Sequence, residues 1–245
     1  MTVDFIAVLV AGAAMGGFIN GLAGFGTALF ALGWWLQIMP PQQAVPVVLL
    51  MSVASGIQGC WIVRHAIRWR RLAMFLVPAL FGIPLGLSVL DLIDADQLKL
   101  VIGGFMLLYG LFFAFRRTLP RYERPTPVID GGIGFVGGIL GATAGLSGAL
   151  PTMWISLRGW TKEASRGVLQ PYNMAVLGLS VSLLAMDGAY DRQTLLLCGG
   201  ALVPTLLAAQ VGILTFRRLG DATFRRLLIV LMLVSGGALL VRSLF

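Results

Sequence analysis

Long, charge-poor apolar runs are the feature that most limits how this chain can fold. They fall at about 5–38, 44–63, 72–90, 97–115, 128–157, 167–185, 194–215 and 222–241. An α-helix needs roughly 20 apolar residues to cross a bilayer core of about 30 Å, whereas the strands of a barrel would alternate apolar and polar residues. The runs therefore predict an all-α, polytopic membrane protein.

Composition supports the membrane class. Apolar residues make up 58% of the chain and charged residues 11%, against about 25% charged residues in an average soluble domain. The net charge of +8 comes from short basic connectors between runs, which is typical of cytoplasmic loops. No nucleic-acid partner is expected. The start of the chain has no basic segment, so the first run is predicted to be retained in the membrane.

The connectors divide by the sign of their charge. The basic connectors are 64–71, 116–127, 158–166 and 216–226, and the acidic connectors are 90–99 and 186–192. The positive-inside rule places the basic ones in the cytoplasm, and the acidic ones are predicted to lie outside. Run 128–157 then begins and ends at the cytoplasm without a net crossing. By the same rule, run 44–63 enters the cytoplasm at Arg64, so both ends of run 5–38 are predicted to lie outside.

Both of these runs must therefore be interrupted. A continuous helix from Asp4 to Ile38 would be about 52 Å long, which is too long for one crossing. The glycine-rich segments 20–27 and 143–148 are the predicted tips of two broken or re-entrant helical hairpins. The first tip is expected to divide its run into pieces of roughly 15 residues, each short for a full span.

Parts of the first half of the chain recur in the second half. Residues 16–30 align with 137–151, and residues 78–110 align with 204–236. The halves, 1–115 and 128–245, have connectors of opposite sign and are joined by the cytoplasmic linker 116–127. This pattern predicts inverted repeats, a common plan in secondary transporters. Each repeat is expected to hold one broken or re-entrant element and three transmembrane helices.

The two tips are the predicted binding site. Unwound backbone at membrane depth is tolerated only where protein or a water-filled cavity satisfies it, and a helix start offers an anion free amides and a positive dipole end. The predicted substrate-binding residues are Asn20, Gly21, Gly24, Gly26, Thr27, Thr143, Gly145, Ser147 and Gly148. The glycines allow positive φ and close approach of a ligand. The alternative explanation of the glycines is tight helix packing.

Further polar residues lie on the neighbouring runs. They are Ser52, Ser55, Gln58, Gln170, Tyr172 and Asn173. These side chains either line the substrate pathway or pair with one another between helices. The tryptophans Trp34, Trp35, Trp61, Trp69, Trp154 and Trp160 lie near the ends of runs, where they are expected to anchor the protein at the membrane interface.

The sequence lacks the residues that other classes of protein would need. No ionisable side chain lies in the interior of a run, although proton-coupled carriers usually hold such a relay. The sequence has no phosphate-binding loop and no metal-ligand spacing. It therefore predicts no enzyme, no catalytic residue, no metal site and no cofactor.

The glycine-rich turns resemble those of a known family. The segments are Gly-Gly-Phe-Ile-Asn-Gly-Leu-Ala-Gly-Phe-Gly at 16–26 and Gly-Gly-Ile-Leu-Gly-Ala-Thr-Ala-Gly-Leu-Ser-Gly at 137–148. With the length and the repeat plan, they resemble the TauE/SafE sulfite exporter family over nearly the whole chain. Members usually carry further glycines where this chain has Thr27 and Ala28.

The resemblance implies a secondary transporter that exports sulfite or a small organosulfonate across the bacterial cytoplasmic membrane. It also implies a homodimer in the lipid bilayer. Two alternatives remain open at this point. One is an anion channel that uses the same tips, and the other is a membrane assembly subunit that does not transport.

Overall fold

Helices make up almost all of the part of the chain that the computed structural model describes. That part comprises residues 3–115, 122, 126–158, 160–219, 229–231, 233–237 and 239–241. Its β-structure is limited to an isolated bridge between Tyr122 and Arg158. The prediction of an all-α fold is confirmed.

The helices follow the predicted runs. They are α1 (Val3–Ala23), α2 (Thr27–Trp35), α3 (Pro41–Val63), α4 (Trp69–Leu92), α5 (Ala95–Phe115), α6 (Pro127–Ala144), α7 (Ala149–Ser156), α8 (Lys162–Met186) and α9 (Arg192–Arg218). Helical residues also occur within 229–241. Among the described residues, seven helices are long and apolar enough to cross a membrane, namely α1, α3, α4, α5, α6, α8 and α9.

The two predicted interruptions are present, but the pieces are unequal. The first break separates α1, with 21 residues, from α2, with 9, and the second separates α6, with 18, from α7, with 8. The expected division into pieces of roughly 15 residues is therefore wrong. Asn20 and Gly21 stay helical, because one glycine costs a helix only about 1 kcal/mol. The chain breaks at Gly24 and Gly26, which both adopt positive φ.

Helices α1 and α9 pack backbone to backbone. A Cβ atom on Gly17 would overlap the carbonyl oxygen of Thr205, and one on Gly212 would overlap the carbonyl oxygen of Phe18. Small residues allow this approach, as is common between membrane helices. The glycines of this seam therefore serve packing.

Helices α4 and α6 form a second seam of the same kind. A Cβ atom on Gly138 would overlap the carbonyl oxygen of Ala79, and one on Gly86 would overlap the carbonyl oxygen of Ile139. In the sequence alignment, Gly138 corresponds to Gly17 and Ala79 to Thr205. Aligned positions thus make the same contact in the two seams. Each seam joins a helix of the first half to a helix of the second.

Helix α2 lies in the protein interior. Of its nine residues, Thr27, Ala28, Leu29, Phe30, Ala31, Leu32 and Trp35 are buried. At about 1.5 Å per residue this helix is about 14 Å long, roughly half of the bilayer core. A short helix that is covered on nearly all sides places its first residue inside the protein rather than at the surface.

Candidate functional site

The backbone conformation of the first tip requires glycine at two positions. Gly24 has φ 81° and Gly26 has φ 97°, values in the left-handed region that other residues rarely adopt. Helix α2 starts directly afterwards at Thr27, and no side chain caps it. The first amide groups of α2 are therefore left without a side-chain acceptor at this end.

The second tip has a different construction. Gly145 has φ 67° and ends α6, with its N–H donating to the carbonyl oxygen of Gly141 at 2.9 Å, a common glycine C-cap. Gly148 has φ −84° and precedes α7, which also begins without a side-chain cap. The expected positive φ is thus found at Gly145 but not at Gly148, where a Cβ atom would instead lie 2.6 Å from Nδ2 of Asn173.

The two tips meet inside the protein. A Cβ atom on Gly145 would lie 2.8 Å from the Cβ atom of Ala28 in the first turn of α2. A cavity opens beside this contact. It is lined by Asn20, Gly24, Phe25, Gly26, Thr27, Leu29, Ser52, Gly56, Gly145, Leu146, Ser147, Gly148, Ala149, Gln170, Asn173, Met174 and Leu177. The space open to the centre of a water molecule is about 20 Å³, enough for one or two waters.

Most of the predicted binding residues lie at this cavity. Asn20, Gly24, Gly26, Thr27, Gly145, Ser147 and Gly148 are among its lining. Gly21 instead packs against the backbone of Ala209. Thr143 donates its hydroxyl to the carbonyl oxygens of Gly86 and Ile139, at 2.8 and 2.9 Å. These two residues therefore stand behind the tips and fix their packing.

The predicted pathway residues divide in the same way. Ser52, Gln170 and Asn173 line the cavity. Ser55 lies behind it, where it accepts a hydrogen bond from Asn20 Nδ2 at 2.5 Å. Tyr172 points away, because its hydroxyl donates to the carbonyl oxygen of Gly134 at 2.9 Å. The side chain of Gln58 lies outside the described part of the structure.

Several polar groups at the cavity are held by one another. Ser147 donates its hydroxyl to Oδ1 of Asn173 at 2.9 Å, which links the second tip to α8. Gln170 donates from Nε2 to the carbonyl oxygen of Gly56 at 3.4 Å, a long and weak bond. Helix α8 thus presents two amide side chains to the space between the tips.

Thr27 is different, because its buried hydroxyl has no hydrogen-bond partner in the structure. The residue is 1% exposed and lines the cavity at the first position of α2. Most buried polar atoms are bonded, and leaving one unpaired costs about 1–3 kcal/mol. The hydroxyl is therefore available to donate to a ligand.

The electrostatic character of the cavity comes from backbone rather than from ionised side chains. None of its described lining residues is ionisable. The starts of α2 and α7 both contribute residues to its wall, and a helix start carries partial positive charge on its free amides. This arrangement can bind an anion through neutral donors.

A buried ion pair was not expected from the sequence. Asp130, in the first turn of α6, lies 2.6 Å from the guanidinium of Arg158, and each side chain is 6% exposed. Trp154 donates its indole N–H to the same carboxylate at 2.6 Å, and Thr126 bonds both charged residues. Asp130 lies within run 128–157, so the expectation that no ionisable side chain lies inside a run is wrong for this residue. We call Thr126, Asp130, Trp154 and Arg158 the hairpin clasp.

The tryptophans are placed in two ways. Trp61 and Trp69 are 68% and 73% exposed, as expected for interfacial anchors. Trp35 is fully buried and donates its indole N–H to the carbonyl oxygen of Leu9 at 3.0 Å. Interfacial anchoring is therefore wrong for Trp35, which instead ties α2 back to α1.

Comparison with known proteins gives a family match over nearly the whole chain. Residues 8–239 match the profile of the family described as Sulfite exporter TauE/SafE. No curated protein and no solved structure is significantly similar to the chain. The match includes both tips, all of the short and most of the long helices, and confirms the resemblance predicted from the glycine-rich turns. This multi-pass membrane protein therefore belongs to the sulfite exporter TauE/SafE family of transporters.

Proposed function

We propose that the protein is a secondary transporter that exports sulfite or a small organosulfonate across the bacterial cytoplasmic membrane. The observation that carries the proposal is the cavity where the starts of α2 and α7 meet beside the unpartnered hydroxyl of Thr27. The family supports a sulfur-containing substrate. The small size of the cavity supports a compact group such as an –SO₃ head.

The substrate is bound between the two tips. Amides at the start of α2 and the hydroxyl of Thr27 donate from one side, and the amide side chain of Asn173 lies next to Gly148 on the other. Gly24 and Gly145 have no side chain, so the ligand can approach the backbone at both positions. Their positive φ would strain any larger residue there. Gly21 and Thr143 support the tips from behind.

The two halves, 1–115 and 128–245, act as inverted repeats that alternate the access to the site. The equivalence of the seam contacts Gly17 with Thr205 and Gly138 with Ala79 supports this relation. The basic connectors face the cytoplasm. An inside-negative potential favours outward movement of an anion by about 2.3 kcal/mol per charge per 100 mV, so export needs no proton relay within the membrane.

Flux into and out of proteoliposomes tests the proposal. The purified full chain is expected to release trapped sulfite with saturable kinetics and to show counterflow. The double variant Gly24→Leu and Gly145→Leu is expected to lose this flux. Gly188→Leu is the matched control, because Gly188 also has positive φ but has open space around it.

The outcomes separate the alternatives. Unchanged flux in a folded tip variant would contradict the site. Ion currents far above carrier turnover, without counterflow, would identify a channel. No flux of sulfite or sulfonate from a folded protein, with loss of a partner complex in cells that lack it, would identify an assembly subunit.

A further inference from the structure

The tip glycines Gly24 and Gly145 each lie against one side chain of a long helix. A Cβ atom on Gly24 would lie 3.0 Å from Oε1 of Gln170 on α8. A Cβ atom on Gly145 would lie 3.5 Å from Cδ2 of Leu49 on α3. The two glycines are aligned in the sequence repeat, and Leu49 and Gln170 are separated by the same number of residues. The two contacts are therefore equivalent in the proposed inverted repeats.

A second pair of contacts supports the equivalence of α3 and α8. Asn20 donates from Nδ2 to Oγ of Ser55 at 2.5 Å. At positions related by the same offset in the chain, a Cβ atom on Gly141 would lie 2.7 Å from Cγ1 of Val176. Helix α1 thus contacts α3 in the way that α6 contacts α8.

The opposite directions of α3 and α8 set the side of the cavity on which each side chain lies. In the proposed orientation α3 begins outside and α8 begins in the cytoplasm. Leu49 precedes the lining residue Ser52 by three positions, and Gln170 precedes the lining residue Asn173 by three. Each step is a rise of about 4.5 Å along the helix. Leu49 therefore lies on the outer side of the cavity and Gln170 on the cytoplasmic side.

The side chain of Gln170 is held loosely. Its amide occupies space that Gly59 leaves free, since a Cβ atom on Gly59 would overlap Nε2 of Gln170. Its hydrogen bond to the carbonyl oxygen of Gly56 has a length of 3.4 Å and is weak. Next to it, toward the cytoplasm, Gly59 and Cys60 are partly exposed. Little has to break for this side chain to move aside.

The side chain of Leu49 is held firmly. Leu49 is fully buried, and Val45 and Val48, which precede it on the outer side, are fully buried in the same apolar core. Exposing such surface to water costs free energy in proportion to its area. Within the described part of the chain, a packed apolar layer thus closes the outer side, and a weakly bonded amide lies at the cytoplasmic side.

We propose that Gln170 is the gate of the site toward the cytoplasm, that Leu49 is the gate toward the outside, and that the cytoplasmic gate opens more readily. The proposal rests on the proposed function and adds the residues that control access to its site. An exporter loads its anion from the cytoplasm, so a gate that opens easily on that side keeps the site available for loading. The amide of Gln170 also donates to the anion as it enters.

Cysteine labelling from each side of the membrane tests the gates without requiring transport. The full chain has two cysteines, Cys60 and Cys198, and both are replaced by serine. Ser52→Cys then places one thiol in the cavity lining. An impermeant thiol reagent is added to right-side-out or to inverted membrane vesicles. The reporter is expected to react about tenfold or more faster from the cytoplasmic side, because labelling follows the population in which a gate is open.

Gate variants of the reporter chain separate the two sides. Gln170→Ala is expected to raise the labelling rate from the cytoplasm about tenfold or more and to leave the outer rate unchanged. Leu49→Ala is expected to do the reverse. The matched controls are Leu169→Ala and Leu50→Ala, which change partly exposed neighbours outside the cavity lining. Both controls are expected to keep the two rates of the reporter chain.

Two results would overturn the proposal. One is a reporter that reacts equally fast from both sides or faster from the outside. The other is a folded Gln170→Ala protein whose labelling rate from the cytoplasm does not rise. These two results also decide if Leu49→Ala does not fold. Sulfite and sulfonate flux is measured separately in the chain with Ser52 intact. Its absence beside the expected labelling would overturn the proposed function and leave the gates in place.

Discussion

The guanidinium of Arg158 lies 2.6 Å from the carboxylate of Asp130, and both side chains are buried. The pair joins the first turn of α6 to the chain that follows α7, at the end of the hairpin away from its tip. In the first hairpin, the indole N–H of Trp35 makes the corresponding contact, a hydrogen bond to the carbonyl oxygen of Leu9. Leu9 stands as far before Gly16 as Asp130 does before Gly137. One hairpin is thus closed by a neutral hydrogen bond and the other by an ion pair.

Asp130→Ala is expected to lower the free energy of unfolding by about 3–5 kcal/mol, because it leaves the charge of Arg158 buried without its partner. The double variant Asp130→Leu and Arg158→Met should recover most of this loss, since it removes both charges. Thermal unfolding in detergent measures both effects. A single variant that stays within about 1 kcal/mol of the unmodified protein would show that the ion pair does not stabilise the hairpin.

Thr27→Val is expected to weaken substrate binding about tenfold or more, because a hydrogen bond to a charged group contributes about 1.5–3 kcal/mol. The stability of the empty protein should not fall, since the hydroxyl has no partner there. Thr205→Val is the matched control, because the hydroxyl of this buried residue donates to the carbonyl oxygen of Ala201 in its own helix. Concentration dependence of flux in both variants checks the expectation. Equal affinity in the two would remove Thr27 from the site.

Gly145→Ala is expected to reduce transport more strongly than Gly188→Ala. Both positions have positive φ, so both substitutions add backbone strain of roughly 1 kcal/mol. At Gly145 the new Cβ atom would also lie 2.8 Å from that of Ala28, whereas Gly188 has nothing within 4 Å. Unfolding and flux are measured together for the two variants. Equal transport at equal stability would contradict a role for the contact between the tips.

Gly17→Ala and Gly138→Ala are expected to destabilise the protein by similar amounts, about 1–3 kcal/mol each, because each new methyl group overlaps a carbonyl oxygen across a seam. Gly104→Ala, with open space around it, should stabilise α5 by up to about 1 kcal/mol. Thermal unfolding compares the three. A loss at only one of the two seams would contradict their equivalence.

The sequence was sufficient to locate the two breaks and the seven long helices of the described residues; run 222–241 lies largely outside them. The connector charges place both ends of run 5–38 on one side of the membrane, and likewise both ends of run 128–157. Glycines that can adopt positive φ are concentrated in the middle of both runs. It did not predict the unequal pieces. Helix α1 continues through Asn20 and Gly21 because α9 packs against Gly21, and such a contact between distant segments leaves no local signal.

The sequence predicted which residues could form the site but not which way their side chains point. A helical position becomes part of a cavity only if its face turns that way, and tertiary packing sets the face. Thr143 and Tyr172 carry hydroxyl donors that could serve a ligand, yet both donate to backbone carbonyls of other helices instead. The pairing of Asp130 with Arg158 was missed for the same reason, since these residues are 28 positions apart.

The position of a bound anion shows whether the substrate lies between the two tips. The protein is crystallised or imaged with selenite, whose heavier atom marks a sulfite analogue, after the same preparation has been shown to transport it. One peak is expected between the tips, within hydrogen-bonding distance of the hydroxyl of Thr27. A peak elsewhere in a protein that transports selenite, with the cavity between the tips empty, would contradict it.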